Sequence, residues 1–275
     1  MPVVHVASAG NATLKRLRSL REKKYRQREG LFLAEGLCIA VEALDAGWIP
    51  EVLLFAEGKG DHPLVGRLVA ATLAAGHSVV ETTPQLLAGI AGKDNPQAVI
   101  AAYRPRPRAL AELVPGPRTL VAERLRDPGN LGTLLRACDA AGASALVLVD
   151  ESADPTSVEA VRASMGAFFT VPTVQCRGAE LLEWKHRHGA TLIGAALDPR
   201  ARHYRRIAYP APVLLMVGNE QAGLPEPLKA ACDALAVIPM LGRADSLNVA
   251  MAGTLLLYEA LAAQQPAGEA CAGVS

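Results

Sequence analysis

The chain has 275 residues, 51% hydrophobic and 20% charged, which excludes a disordered polypeptide and suits two modest domains or one large one. Aromatic residues make up only 4%, so Ala, Leu and Val must fill the core and neighbouring elements should approach closely. A net charge of +1 argues against a uniformly basic nucleic-acid binder, but the average hides an asymmetry: Lys15, Arg16, Arg18, Arg21, Lys23, Lys24, Arg26 and Arg28 stand against the single acid Glu22, leaving 20 basic and 26 acidic residues elsewhere.

That basic stretch, Asn11 to Arg28, has a helical pattern, and its charge is what a phosphate-backbone contact requires, although a solvated helix face has the same composition. After it, Leu31–Ala34 is a short apolar strand and Glu35-Gly36 opens a helical pattern through Ala46. Strands are expected at Glu51–Phe55, Ser78–Glu81 and Gln97–Tyr103, and helices at Pro63–Ala75 and Pro84–Ala91. These elements define an α/β domain over residues 1–103. The Pro-interleaved Arg104-Pro105-Arg106-Pro107-Arg108 cannot continue a helix and opens a linker over 104–118.

A second domain over 119–275 begins with strand Thr119–Ala122, which delivers the loop Asp127–Arg136 and a helix starting near Asn130. Further strands are expected at Ser144–Val149, Phe168–Val174 and Thr191–Leu197, separated by helices near Thr156–Ser164 and Ala179–His188. The alternation predicts a parallel sheet covered on both faces, with any site beyond the carboxyl ends of its strands. Val213–Val217 is uninterrupted apolar, as a doubly buried strand should be, and leads into Gly218-Asn219-Glu220-Gln221-Ala222-Gly223-Leu224. Strand Ala236–Ile238 leads into Ile238-Pro239-Met240 and Ser246-Leu247-Asn248, with Ser246 as the expected N-cap of an Ala-rich helix to Ala263.

Five dispersed cysteines, Cys38, Cys138, Cys176, Cys232 and Cys271, form no Cys-x-x-Cys pair and suggest reduced, mostly packed thiols. No signal-peptide pattern opens the chain, and the longest charge-free run, Ala163–Cys176, is 14 residues, so a cytoplasmic protein is expected. There is no Gly-x-Gly-x-x-Gly in the first strand-helix turn, no P-loop ending after Gly129-Asn130-Leu131-Gly132, and no His-Glu-x-x-His or Cys/His array, which disfavours NAD, ATP and a metal.

Three ordered motifs, with Asn130, Gly132 and Arg136 in the first, Gly218, Glu220 and Gly223 in the second, and Ile238-Pro239-Met240, Ser246 and Asn248 in the third, strongly resemble the SpoU (TrmH-like) family of RNA ribose 2′-O-methyltransferases. The layout of residues 1–103, with Gly30–Gly36 after a basic start, resembles the L30e-like domain that precedes the catalytic part in many such enzymes. The resemblance implies a SPOUT-type domain with a deep trefoil knot, which general knot-avoidance rules would not suggest. It also implies S-adenosylmethionine as cofactor, RNA as partner (ribosomal before transfer RNA), a homodimer and no metal.

Carried onto this sequence, the motifs make Asn130, Arg136, Glu220, Ser246 and Asn248 catalytic. The cofactor falls to backbone at Ala196, Gly218, Ile238, Met240 and Leu247, and RNA to Lys15, Arg16, Arg18, Lys23 and Lys24. Arg136 stays protonated and is expected to orient the ribose, with Asn130 and Glu220 holding it; direct proton removal would need an unusual environment. For Glu220 the plainer reading is a helix-start carboxylate, and for Ser246 and Asn248 simple capping. A binding protein that has lost catalysis and a nucleotide-dependent oxidoreductase are the competing classes.

Overall fold

The computed structural model describes residues 2–92 and 97–265, so Cys271 lies outside the described residues. The chain divides into two compact units: residues 1–106 with 154–170, and residues 107–153 with 171–275. The division expected from sequence ran continuously across 104–118; instead the chain returns to the first unit at 154 and leaves it after 170.

In chain order the first unit contains β1 (Val4–Val6), α1 (Ala12–Ser19), α2 (Lys23–Glu29), β2 (Phe32–Glu35), α3 (Leu37–Asp45), β3 (Val52–Ala56), α4 (Pro63–Ala74), β4 (Ser78–Thr82), α5 (Pro84–Ala91) and β5 (Val99–Tyr103). Its sheet runs β1-β4-β3-β5-β2, parallel except where β5 pairs with β2 and β3.

The expected continuous basic helix is two helices, and Arg26 of the second turns inward against the break between them. Its guanidinium donates to the carbonyls of Leu20 (3.0 Å) and Arg21 (2.8 Å) and pairs with Asp154 at 2.7 Å, so Arg26 is a structural cation unavailable to phosphate. Burial would raise the Asp154 carboxyl, but hydrogen bonds from Thr156 and Arg26 outweigh it and hold it below the usual range. A depressed folded pKa gives stability that is complete above the ordinary Asp value, about 3.9, and is lost as pH falls through the lower folded value. Asp154→Asn should therefore cost roughly 3 kcal/mol near neutral pH by leaving Arg26 buried without a counter-charge. The gap to wild type should close below about pH 4 in acid-titrated melting curves.

Residues 154–170 bring α7 (Val158–Ala163) and a single 3-10 turn, Ala167–Phe169, into this unit. Phe168-Phe169 do not begin a strand as expected: Phe169 packs against Trp48 (5.3 Å between ring centroids) and Tyr103 (5.1 Å), and Trp48 Nε1 donates to the Phe169 carbonyl at 3.0 Å. Arg162 of α7 pairs with the buried Glu35. The Pro-rich segment also rests on this unit, with Arg104 on the Glu51 carboxylate (2.6 Å) and Arg106 over the Trp48 ring (4.1 Å).

The second unit holds β6 (Arg118–Glu123), α6 (Pro128–Ala140), β7 (Leu146–Val149), β8 (Thr173–Cys176), α8 (Gly178–Arg187), β9 (Thr191–Ala195), β10 (Arg202–His203), β11 (Val213–Val217), α9 (Glu226–Ala231), β12 (Ala234–Val237) and α10 (Val249–Gln264). Every ladder in the sheet β10-β12-β9-β11-β6-β7-β8 is parallel, as the β-α alternation predicted. All five residues of β11 are buried at the centre, and close packing by small residues is visible where a side-chain carbon on Gly253 of α10 would meet Leu134 of α6 at 2.7 Å. Burial pushes the thiols of Cys176 and Cys232 up to about 12 and about 11, so both are inert packing groups at neutral pH. No helix among the described residues is long and apolar enough to cross a membrane.

Candidate active site

The site lies where β6, β9, β11 and β12 deliver their loops, beyond the carboxyl ends of parallel strands. After β11 the chain folds back on itself so tightly that a side-chain carbon at Gly218 would fall 2.4 Å from the Gly223 backbone, and Gly223 takes φ +65° to close the turn. The turn is internally fastened by Asn219, whose Oδ1 accepts the N–H groups of Gln221 and Ala222, both at 3.0 Å. Glu220 is thereby presented at its tip. A pocket opens between this turn, the loop after β9 and the loop after β12, and its walls include Ala196, Gly218, Ile238, Met240 and Leu247, together with Glu220 and Ser246.

Asn248, not Ser246, caps α10: its Oδ1 accepts from the N–H groups of Ala250 (2.9 Å) and Met251 (3.3 Å). With its carbonyl committed to the helix, the Asn248 amide donates Nδ2 to Asn130 Oδ1 at 2.9 Å, and Asn130 in turn donates Nδ2 to Glu220 Oε1 at 3.2 Å. A helix cap and three motifs far apart in sequence are thus joined in one directed chain that ends on a carboxylate. Asn130 itself is held in the first turn of α6, whose N-cap is Asp127 rather than a residue near Asn130; the Asp127 carboxylate accepts the Asn130 N–H at 2.7 Å.

Arg136 is not held by Asn130 and Glu220 as expected. It is exposed on α6 with no hydrogen bond or ion pair to any described residue, while Asn130 and Glu220 bond each other. Of the basic candidates, Lys15 and Arg18 on α1 and Lys23 on α2 are exposed and unpaired among the described residues, and so is Arg21 in the turn between the helices, whereas Arg16 pairs with Glu29 (2.8 Å) and Lys24 with Glu22 (2.9 Å). The sequence reading missed Asn219 as a site residue, although Asn followed by two turn N–H groups is a recognisable local signal. It also missed Lys229 and Asp245, which line the pocket without any motif to mark them. Among the described residues no cluster of His, Cys, Asp or Glu has the makings of a metal site.

A flat aromatic ring would meet apolar side chains and accessible main chain here, and a cationic centre would meet Glu220, so the donor set fits S-adenosylmethionine. Fold and site together define a parallel-sheet α/β protein of the SPOUT methyltransferase type. Residues 117–258 match the SpoU rRNA Methylase family and residues 11–101 the MRM3-like substrate binding domain, and the chain belongs to the SpoU family. It is 32% identical to the 23S rRNA (guanosine(2553)-2′-O)-methyltransferase RlmP of Bacillus subtilis, over 92% of this chain and 97% of that protein. Among solved structures, the S-adenosylmethionine-bound rRNA methyltransferase from Sinorhizobium meliloti superposes with a TM-score of 0.89 at 39% identity, covering 96% of this chain and 99% of that one. The methyltransferase AviRb of Streptomyces viridochromogenes, also solved with the cofactor, has a TM-score of 0.80 at 28% identity, covering 92% and 97%.

Proposed function

We propose that this protein transfers a methyl group from S-adenosylmethionine to a ribose 2′-hydroxyl of ribosomal RNA. The observation that carries the reading is the hydrogen-bonded chain Asn248–Asn130–Glu220, which ends on a carboxylate lining the pocket walled by Gly218, Ile238, Met240 and Leu247. The cofactor, when bound, supplies an activated methyl group. The main chain at Ala196, Gly218, Ile238, Met240 and Leu247 holds its adenosine part, and Glu220 faces its positive charge. Ser246 and Asn248 complete the polar wall, while Arg136 supplies a permanent positive charge for the ribose oxygen and its neighbouring phosphate.

The α10 face Met251, Leu255 and Tyr258, exposed by 61%, 39% and 46%, supports a homodimer. The trefoil knot and a cytoplasmic location belong to the same reading. Incubation of the protein with methyl-labelled cofactor and ribosomal or transfer RNA tests it: label should enter ribosomal RNA as a 2′-O-methyl nucleotide. Label confined to transfer RNA, or absent from both, would reject the assignment.

Lys15 and Arg18 of α1, Lys23 of α2 and Arg21 between the two helices, unpaired among the described residues, are read as the RNA grip. Changing Lys15, Arg18, Arg21 and Lys23 to Gln should weaken RNA binding and flatten its dependence on salt by as much as about 0.7–0.9 log units per lost phosphate contact, with cofactor affinity unchanged. Binding isotherms at several salt concentrations measure this, and an unaltered slope would return these side chains to the role of a solvated face.

A further inference from the structure

Glu123, the last residue of β6, is fully buried; its Oε1 binds Arg124 Nε and its Oε2 has no hydrogen-bond partner among the described residues. Arg124 follows with φ +44°, a left-handed conformation that disfavours any residue with a side-chain carbon. In that conformation its N–H donates to the Val149 carbonyl at 3.0 Å, and its carbonyl accepts from Asn219 Nδ2 at 2.9 Å. The parallel register sets Val217 of β11 opposite Ala122 of β6, so the turn that begins at Gly218 starts level with Glu123.

We propose that Glu123, Arg124 and Asn219 are positioning residues that seat the Gly218–Gly223 turn, and with it Glu220 and the cofactor wall. Arg124 acts through the carbonyl that its left-handed backbone turns toward Asn219, and Glu123 anchors the Arg124 side chain from inside the sheet. Asn219 has two separable jobs. Its Oδ1 shapes the turn internally through Gln221 and Ala222, while its Nδ2 fastens the turn to the neighbouring strand end. Without the second link the turn keeps its shape but loses its place. The proposal rests on the pocket being the S-adenosylmethionine site.

Asn219→Asp separates the two jobs, because a carboxylate still accepts from Gln221 and Ala222 but cannot donate to the Arg124 carbonyl and repels it. In the full-length protein kcat should fall roughly tenfold to a hundredfold, the effect of small misplacements in a reacting site, and cofactor affinity should fall with it. The KM for RNA should stay unchanged. Arg124→Gly should be roughly fivefold or more as active as Arg124→Ala, because glycine enters the left-handed region freely and alanine does not.

Wild-type kcat and cofactor affinity in Asn219→Asp would overturn the proposal. So would equal losses in the two Arg124 variants, or a rise confined to the KM for RNA, which would make the guanidinium a substrate contact. If Arg124→Ala does not fold, Asn219→Asp decides alone. Failure of the wild-type protein to bind S-adenosylmethionine in calorimetry would instead remove the site reading on which the proposal stands.

Discussion

Arg136→Ala should reduce methyl transfer by roughly a hundredfold to a thousandfold, the loss expected when a fixed charge aimed at a developing oxyanion is removed. Cofactor affinity and melting temperature should stay at the wild-type level. Arg136 is exposed on α6 and bonds no described residue, so nothing in the fold depends on it, and an exposed substitution of that kind changes stability by no more than about 0.5 kcal/mol. Loss of activity with intact stability is therefore diagnostic here, which it would not be for Asn130 or Asn248, each tied into the local structure. Calorimetric titration with cofactor and label transfer on one preparation supply the two readings. A large loss of cofactor affinity would move Arg136 to the adenosine side of the site.

A truncated chain from Pro107 to Ser275 should not behave as an independent methyltransferase domain, even though it contains every motif. It would carry residues 154–170 without the core they belong to, exposing Val158, Val161 and Phe169, which are 3%, 0% and 6% exposed in the complete chain. Burying each such side chain is worth roughly 1.5–3 kcal/mol, so leaving three of them in water gives the fragment a strong drive to associate through this segment. The expected outcome is aggregation on size-exclusion chromatography and binding of a hydrophobic dye. Changing Val158, Val161, Phe168 and Phe169 to Ser in the same fragment should restore solubility. A fragment that is monodisperse without those changes would show that the segment finds other cover.

The parallel sheet and the three motif loops could be read from sequence because the signals are local: five apolar residues in Val213–Val217, turn glycines after them, and a cap residue before an apolar helix. Sequence alone favours a helix cap two residues early because Ser246 and Asn248 are equally good acceptors, and only Asn248 stands directly before the helical run. In the sequence Arg26 is indistinguishable from the surface charges because its counter-ion, Asp154, is 128 residues away, and no periodicity reports that distance. The same limit explains Phe168-Phe169. An apolar pair looks alike in a strand and in a 3-10 turn, and its destination in the first unit is set by the aromatic cluster of Phe32, Trp48 and Tyr103. Arg136 was matched by its motif, but its freedom from Asn130 and Glu220 depends on side-chain directions that spacing does not encode.

The return of residues 154–170 also imposes an order of events during synthesis. The first 106 residues leave the ribosome with part of their core missing, since Val158, Val161 and Phe169 are made later. At about 5–20 residues per second, residues 107–170 take roughly 3–13 s to follow. Throughout that interval the N-terminal unit must wait with Trp48 and Phe32 incompletely covered and Arg26 and Glu35 without their partners, so it completes its folding only after synthesis of the methyltransferase sheet has begun.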